Sequence, residues 1–208
     1  MVGTDQLTFQ EYIMREPLPL STIHQAVLDF LRQREDAVLF GAQAVNAYVS
    51  EPRMTQDVDL LSPRAKELAA ELEQYLSDKF HIAVRVREIG EARGYRIYQV
   101  RAEGNRHLVD IRAVAVLPGS RTIDDLLVIE PAELIAYKVI AFHQRRGKPK
   151  SGTDWRDLAM LLLTFPELKQ ETGKVLECLI RADARPEILS TWNNLASQKI
   201  QPEDEEDF

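Results

Sequence analysis

Asp57 and Asp59 stand one residue apart in the short apolar stretch "QDVDLL". Side chains at i and i+2 of a β-strand project to one face, so both carboxylates point the same way and Val58 turns to the core. Two carboxylates held that close raise each other's proton affinity unless a cation sits between them. Magnesium suits such a site. It is a hard ion that takes oxygens from one or two carboxylates and completes its shell with phosphate oxygens and water. A third carboxylate, Asp110 in "HLVDIRA", joins the cluster if its strand lies beside the first. A D-x-D pair alone is also at home on an exposed strand edge, where it deters aggregation.

Gly41, upstream in "AVLFGAQAVNAYV", sharpens the choice. A buried strand, a glycine turn and a helix N-terminus form a cradle for phosphate, because unpaired backbone N–H groups and the helix dipole favour an anion. Gly41 also permits close backbone approach by a ligand. The alternative is a plain tight turn.

The second informative stretch is "EPAELIAYKVIAFHQRRGKPKSGTDWRDLAMLL". Pro131 is placed to open a helix, with Leu134, Ile135, Val139 and Ile140 as its apolar stripe. Lys138 falls within that stripe. Its stem can pack along apolar surface with the ammonium at the edge, or the charge can meet a triphosphate and stabilise the leaving group. Asp154 is placed to cap the helix "WRDLAMLLL" or to take part in chemistry. Asp157, one turn further on, could pair with a neighbouring base on the surface. His143 reads as structural. No histidine has metal-ligand spacing with a cysteine or another histidine, so no zinc site is expected. Walker A, G-x-S-x-G and dinucleotide fingerprints are absent from the sequence.

Taken together, "FGAQAVNAYVSEPRMTQDVDLL" resembles the signature of the polymerase-beta-type nucleotidyltransferase superfamily. The "R-x-T-x-D-h-D" form made by Arg53, Thr55, Asp57 and Asp59 is most similar to its AbiEii-like branch, which includes toxins of toxin–antitoxin and abortive-infection systems. The resemblance covers about residues 40–160 and implies a nucleotidyltransferase fold using Mg²⁺ and an NTP. It further implies an acceptor such as tRNA, another RNA or a protein, and a cognate antitoxin. It places Asp57, Asp59 and Asp110 as metal ligands, and Gly41, Ala42, Gln43, Arg53, Thr55 and Lys138 around the nucleotide. The layout "PAELIAYK" followed by "RRGKPKSGTDWRDL" implicates Lys138 and Asp154 as a catalytic pair, with Asp157 the rival for the second role. One position departs from the pattern. Ala42 stands where the superfamily usually has glycine or serine, so a hydroxyl contact to the triphosphate is missing, and Gln43 is the residue placed to compensate.

These side chains need a framework, and its outline is legible. Ser21 is placed to cap a helix running to about Arg34 with Ile23, Val27, Leu28 and Leu31 buried. "AVLF" and "QDVDLL" read as strands and "AQAVNAYV" as a helix. Ser62-Pro63 is placed to start a helix with proline at its first position, leading into the Leu68, Leu72, Leu76 repeat. "IAVRVREI" and "YRIYQVRA" alternate as a hairpin, "HLVDIRAVAV" adds a strand, and helices are expected at about 131–145, 154–164, 172–183 and 186–197. The expected class is α/β (α+β): a mixed sheet flanked by helices, then a helical bundle. The units would be an α/β core over 1–129, a helical domain over 130–200 and a disordered acidic tail over 201–208.

Composition agrees with a folded chain that can bury a core. It has 208 residues, 45% hydrophobic and 28% charged. No apolar run approaches the roughly 18–20 residues of a membrane span, and the N-terminus lacks signal-peptide character. The single cysteine, Cys178, cannot form an internal disulfide. A cytoplasmic location is expected. Net charge is −7, with five of the acids at Glu203–Asp207. By contrast, Lys138 to Arg156 carries six basic residues against one acid, a segment that attracts anions. The tail could fold back on its basic stretch 145–150. Two rival functions remain open: a catalytically inactive nucleotide-, RNA- or protein-binding module, favoured by Ala42, and a nucleotidyltransferase that modifies a small molecule such as an antibiotic.

Overall fold

A computed structural model describes residues 18–91 and 93–202. The expected acidic tail falls largely outside those residues. In chain order the elements are α1 (Leu20–Leu31), β1 (Val38–Phe40), α2 (Gly41–Tyr48), β2 (Val58–Ser62), α3 (Ala65–Phe80), β3 (Val84–Ile89), β4 (Gly94–Gln99), β5 (Arg106–Ala113), β6 (Ser120–Ile123) and β7 (Leu126–Ile129). Helices α4 (Pro131–Gln144), α5 (Lys150–Thr164), α6 (Lys174–Arg181) and α7 (Pro186–Ser197) follow, with a 3-10 turn at Pro166–Leu168.

Seven strands form one mixed sheet in the order β3-β4-β5-β2-β1-β7-β6. Its centre is parallel where β5 meets β2 and β7 meets β1, and antiparallel between β2 and β1. Central strands carry continuous apolar runs, and all three residues of β1 are buried, as expected of strands covered on both faces. The outer strand β3 keeps the alternation of a half-exposed ribbon. Its buried row continues inward through Ile97, Val109 and Val58, all fully buried, under α3. That helix presents Leu68, Leu72 and Leu76, also fully buried, each contributing about 1.5–3 kcal/mol by leaving water.

Helices α4 and α5 pack on each other and on α2, joining Leu134, Ile135 and Val139 to Leu158, Leu161 and Leu162 in the core. The proline start of α4 is as the sequence indicates.

Three capping expectations are overturned. Pro19, not Ser21, precedes α1, and Ser21 lies inside the helix. Ser62 ends β2, where its hydroxyl donates to the Asp36 carbonyl and accepts the Arg64 N–H, so α3 starts only at Ala65. Asp154 caps nothing, because α5 begins at Lys150. The β6–β7 hairpin was not anticipated. It turns through Asp124 and Asp125, both at positive φ, a two-residue turn that aspartate tolerates but signals less clearly than Asn-Gly. Among the described residues no helix is long and apolar enough to cross a membrane.

Candidate active site

One register row of the sheet brings the strand aspartates together. Phe40 of β1 pairs with Asp59 of β2, Asp59 with Asp110 of β5, and Asp110 with Arg96 of β4. Residues in register share a face, so Asp59 and Asp110 stand side by side on neighbouring parallel strands. Asp57 lies just before β2, with fully buried Val58 turned away from it.

His107 completes this group. Its Nδ1 lies 3.1 Å from Asp57 Oδ2 and its Nε2 2.9 Å from Asp110 Oδ1. Asp110 also accepts two hydrogen bonds from Arg96, at 2.8 and 2.9 Å. The hydrogen bond to Asp110, and next that to Asp57, push the His107 pKa up to about 9. The imidazolium in turn holds Asp57 below the usual carboxylate range. Burial opposes ionisation of Asp110, but His107 and Arg96 outweigh it and keep that carboxyl well below its ordinary value. Asp59 behaves oppositely. Burial first, and the charge of Asp57 second, push its pKa up to about 6.

Gly41 explains the packing of Asp59. It adopts φ +69°, and a Cβ placed on it would lie 2.1 Å from Asp59 Oδ2. The carboxylate therefore sits directly over the first residue of α2. Ala42 follows within the first turn. The Gln43 amide donates to the Thr55 hydroxyl at 2.8 Å. Those two residues brace the segment leading into Asp57. Asn46 helps: it accepts the Arg53 backbone N–H at 3.0 Å and donates to the Arg53 carbonyl at 2.8 Å.

The Lys138 expectation changes most. Lys138 is buried, and its ammonium donates to Asp157 at 2.6 Å. Arg53 donates to both oxygens of the same carboxylate, at 2.7 and 2.8 Å. Asp157 is fully buried, so the surface pairing expected for it is wrong. Burial raises its proton affinity, yet Arg53 and Lys138 together hold it ionised below its ordinary pKa. Asp157, rather than Asp154, is the carboxylate that meets Lys138. Asp154 instead accepts from Arg145 at 2.9 and 3.0 Å. Two cations sharing one carboxylate leave a net positive charge beside the aspartates, and Lys138 lies near enough to Asp59 to oppose the rise in its pKa.

Sequence reasoning missed His107, Arg96 and the buried His24 of α1. Burial depresses the His24 pKa and the charge of Asp57 opposes that shift; its Nε2 has no partner among the described residues. The donor set fits a divalent cation. Asp57, His107 and Asp110 offer ligand atoms all within 4.8 Å of one another, and Asp59 adds a poorly compensated carboxylate in the same row. Positive charge is already what occupies the gap between Asp57 and Asp110.

The mixed sheet, with its acidic row set against a glycine-started helix, has the nucleotidyltransferase fold. The chain belongs to the AbiEii nucleotidyl transferase toxin family (type IV toxin–antitoxin system), whose model matches residues 25–208. Three solved structures share the fold. A Megavirus polyadenylate synthase is 15% identical, with TM-score 0.57, covering 71% of this chain and 32% of its own. A putative nucleotidyltransferase from Helicobacter pylori is 12% identical, with TM-score 0.54, covering 88% and 93%. JHP933 from Helicobacter pylori is also 12% identical, with TM-score 0.52, covering 92% of each. This chain therefore spans about a third of the viral enzyme. No curated protein matches the sequence.

Proposed function

We propose that this protein transfers a nucleoside monophosphate from an NTP to an acceptor, using Mg²⁺ and acting as the toxin of a toxin–antitoxin pair. The observation carrying this reading is the in-register placement of Asp59 and Asp110, with Asp57 beside them and Gly41 beneath. In the reaction an acceptor hydroxyl or amine attacks the α-phosphorus, a new P–O or P–N bond forms, the bond to the bridging oxygen breaks, and pyrophosphate leaves. The acceptor's proton passes to a carboxylate or to water.

Asp57, Asp59 and Asp110 would hold Mg²⁺, with His107 giving up its bridging position or serving as a ligand. When bound, the ion would neutralise phosphate charge and help hold the triphosphate in place. Gly41 and the first N–H groups of α2 face that triphosphate, with Ala42 offering only its backbone. Gln43 and Thr55 orient the approach to Asp57. Lys138 and Arg53, sharing Asp157, supply the positive charge that favours the departing pyrophosphate. Asp110, tied to Arg96 and His107, is a weak proton acceptor in this arrangement. Asp59 is the carboxylate with the highest proton affinity in the metal-free site, so it gains most from a cation held beside it.

The test is incorporation of labelled NTPs into tRNA, small RNA, protein or small-molecule acceptors with Mg²⁺. Wild type should label at least one of them. Equal labelling by a double variant carrying Asp57→Ala and Asp59→Ala would sink the proposal. Ala42 favours a second reading, a non-catalytic module that binds nucleotide or a partner. Calorimetric NTP binding without turnover over that acceptor panel would support it.

A further inference from the structure

The register row that carries the catalytic carboxylates does not stop at Asp110. It continues to Arg96 and then to Arg87 on the edge strand β3. The next row on the same face runs Arg85, Tyr98, His107. Both rows lie opposite the face buried under α3. Arg85, Arg87 and Arg96 are exposed and Tyr98 is half-buried. Arginines side by side on adjacent strands repel. Arg96 is relieved by Asp110, whereas neither Arg85 nor Arg87 has an ion pair among the described residues. A chain of net charge −7 thus concentrates unpaired positive charge on one open sheet face that leads directly to its carboxylates.

We propose that this face, Arg85, Arg87, Arg96 and Tyr98, binds the phosphodiester backbone of an RNA acceptor and delivers one end of it to Asp59 and Asp110. The inference rests on the nucleotidyltransferase reading and adds the acceptor's class and path. Position argues for a second anion distinct from the NTP. The phosphate cradle at Gly41 and the Arg53–Lys138 charge lie on the β1 side of Asp59, while the arginine rows lie on the β4 side of Asp110. The carboxylates stand between two positive zones, as a reaction joining two anionic substrates requires. Arg85 and Arg87 are spaced about 7 Å apart along the strand, which suits successive phosphates of one strand. Tyr98, between them and His107, offers a ring on which an unpaired base can stack. Charge on an edge strand also deters aggregation, but that role does not require the arginines to share rows with the acidic site.

The experiment uses the full chain with Arg85→Ala and Arg87→Ala combined, two exposed positions outside the catalytic group. Anisotropy of a fluorescein-labelled single-stranded RNA about 20 nucleotides long is followed from about 50 to 200 mM KCl, and NTP binding is followed by calorimetry. The double variant should bind RNA about tenfold more weakly at low salt, with its log–log salt slope shallower by about 1.4 for two lost phosphate contacts. Its NTP binding should equal that of wild type. RNA affinity unchanged in the double variant overturns the proposal, as does tighter binding of poly-glutamate than of RNA, which would assign the face to an acidic protein. NTP binding retained with no RNA binding by wild type overturns the RNA face and leaves the transferase reading standing. RNA binding that depends on the two arginines, in a protein that neither binds nor turns over NTP, upholds the face and removes the transferase.

Discussion

The carboxylate of Asp59 fills the space that a side chain on Gly41 would need, with Oδ2 2.1 Å from where a Cβ would stand. Gly41 is thus more than a turn residue. It lets an acidic side chain from β2 lie over the start of α2, so that the first turn of that helix and the acidic row adjoin. Gly41→Ala must therefore strain the backbone at φ +69° and push Asp59 aside. A stability loss of at least about 1–3 kcal/mol is expected, with transfer activity lost. Adding Asp59→Gly should recover part of the stability in urea melts and none of the activity. No recovery would mean that backbone strain alone accounts for the loss.

Asp59 itself should be a destabilising residue at neutral pH when no metal is present. Its folded-state pKa is raised to about 6 from 3.8, so the folded state holds the proton more tightly than the unfolded state. Stability is therefore lost as pH rises from about 4 through 6. Asp59→Asn should stabilise the metal-free protein by about 1–3 kcal/mol at pH 7, with the gain vanishing near pH 4, while transfer is abolished. Denaturant melts with EDTA at both pH values measure this. A variant no more stable than wild type at pH 7 would show that the Asp59 carboxylate is already compensated.

Much of this site is legible in the sequence, and the remainder is hidden for definite reasons. Strand parity places Asp57 beside Asp59, and Pro131 and Gly41 mark helix starts whose chemistry is local. His107 is invisible to the same rule. Residues 107 and 110 are three apart, so a regular strand would send them to opposite faces. The register shift between Ile97 and Tyr98 pairs Tyr98 with His107 and Ile97 with Val109, leaving Leu108 as the extra residue of a bulge. That bulge returns His107 to the face of Asp110, as bulges near active sites re-aim side chains. Asp157 was hidden differently. Its partners Arg53 and Lys138 lie 104 and 19 residues away, and only the packing of α2, α4 and α5 brings them together.

That packing makes Asp157 a clasp between the segment before Asp57 and helices α4 and α5. Asp157→Asn leaves a buried ammonium without its counter-charge and should cost about 3–5 kcal/mol. Replacing both members of the most buried pair, Lys138→Met with Asp157→Leu, should restore part of that stability, because apolar side chains avoid the desolvation cost while the half-buried Arg53 can turn its guanidinium toward water. Activity should remain lost in the double variant, because the Lys138 ammonium proposed to meet the leaving phosphates is gone even though the local net charge is unchanged. Urea melts alongside labelled-NTP transfer separate the two roles. Recovery of activity along with stability would show that the pair serves folding alone.

His107 links the acidic row to pH. Its folded-state pKa is raised to about 9 against 6.5 unfolded, so the folded state binds the proton more tightly. The stabilisation it provides is fully present below pH 6.5 and is lost as pH rises through 9. Above that point Asp57 and Asp110 face each other across a neutral ring. In EDTA the wild type should lose about 2 kcal/mol between pH 6.5 and 9.5, and His107→Gln should lack that slope. Added Mg²⁺ should flatten the wild-type curve, because a cation held by the same carboxylates replaces the lost imidazolium charge. Denaturant melts across that range, with and without Mg²⁺, measure both effects. A slope that persists unchanged in His107→Gln would place the titrating group elsewhere, and a wild-type curve indifferent to Mg²⁺ would deny the acidic row its metal.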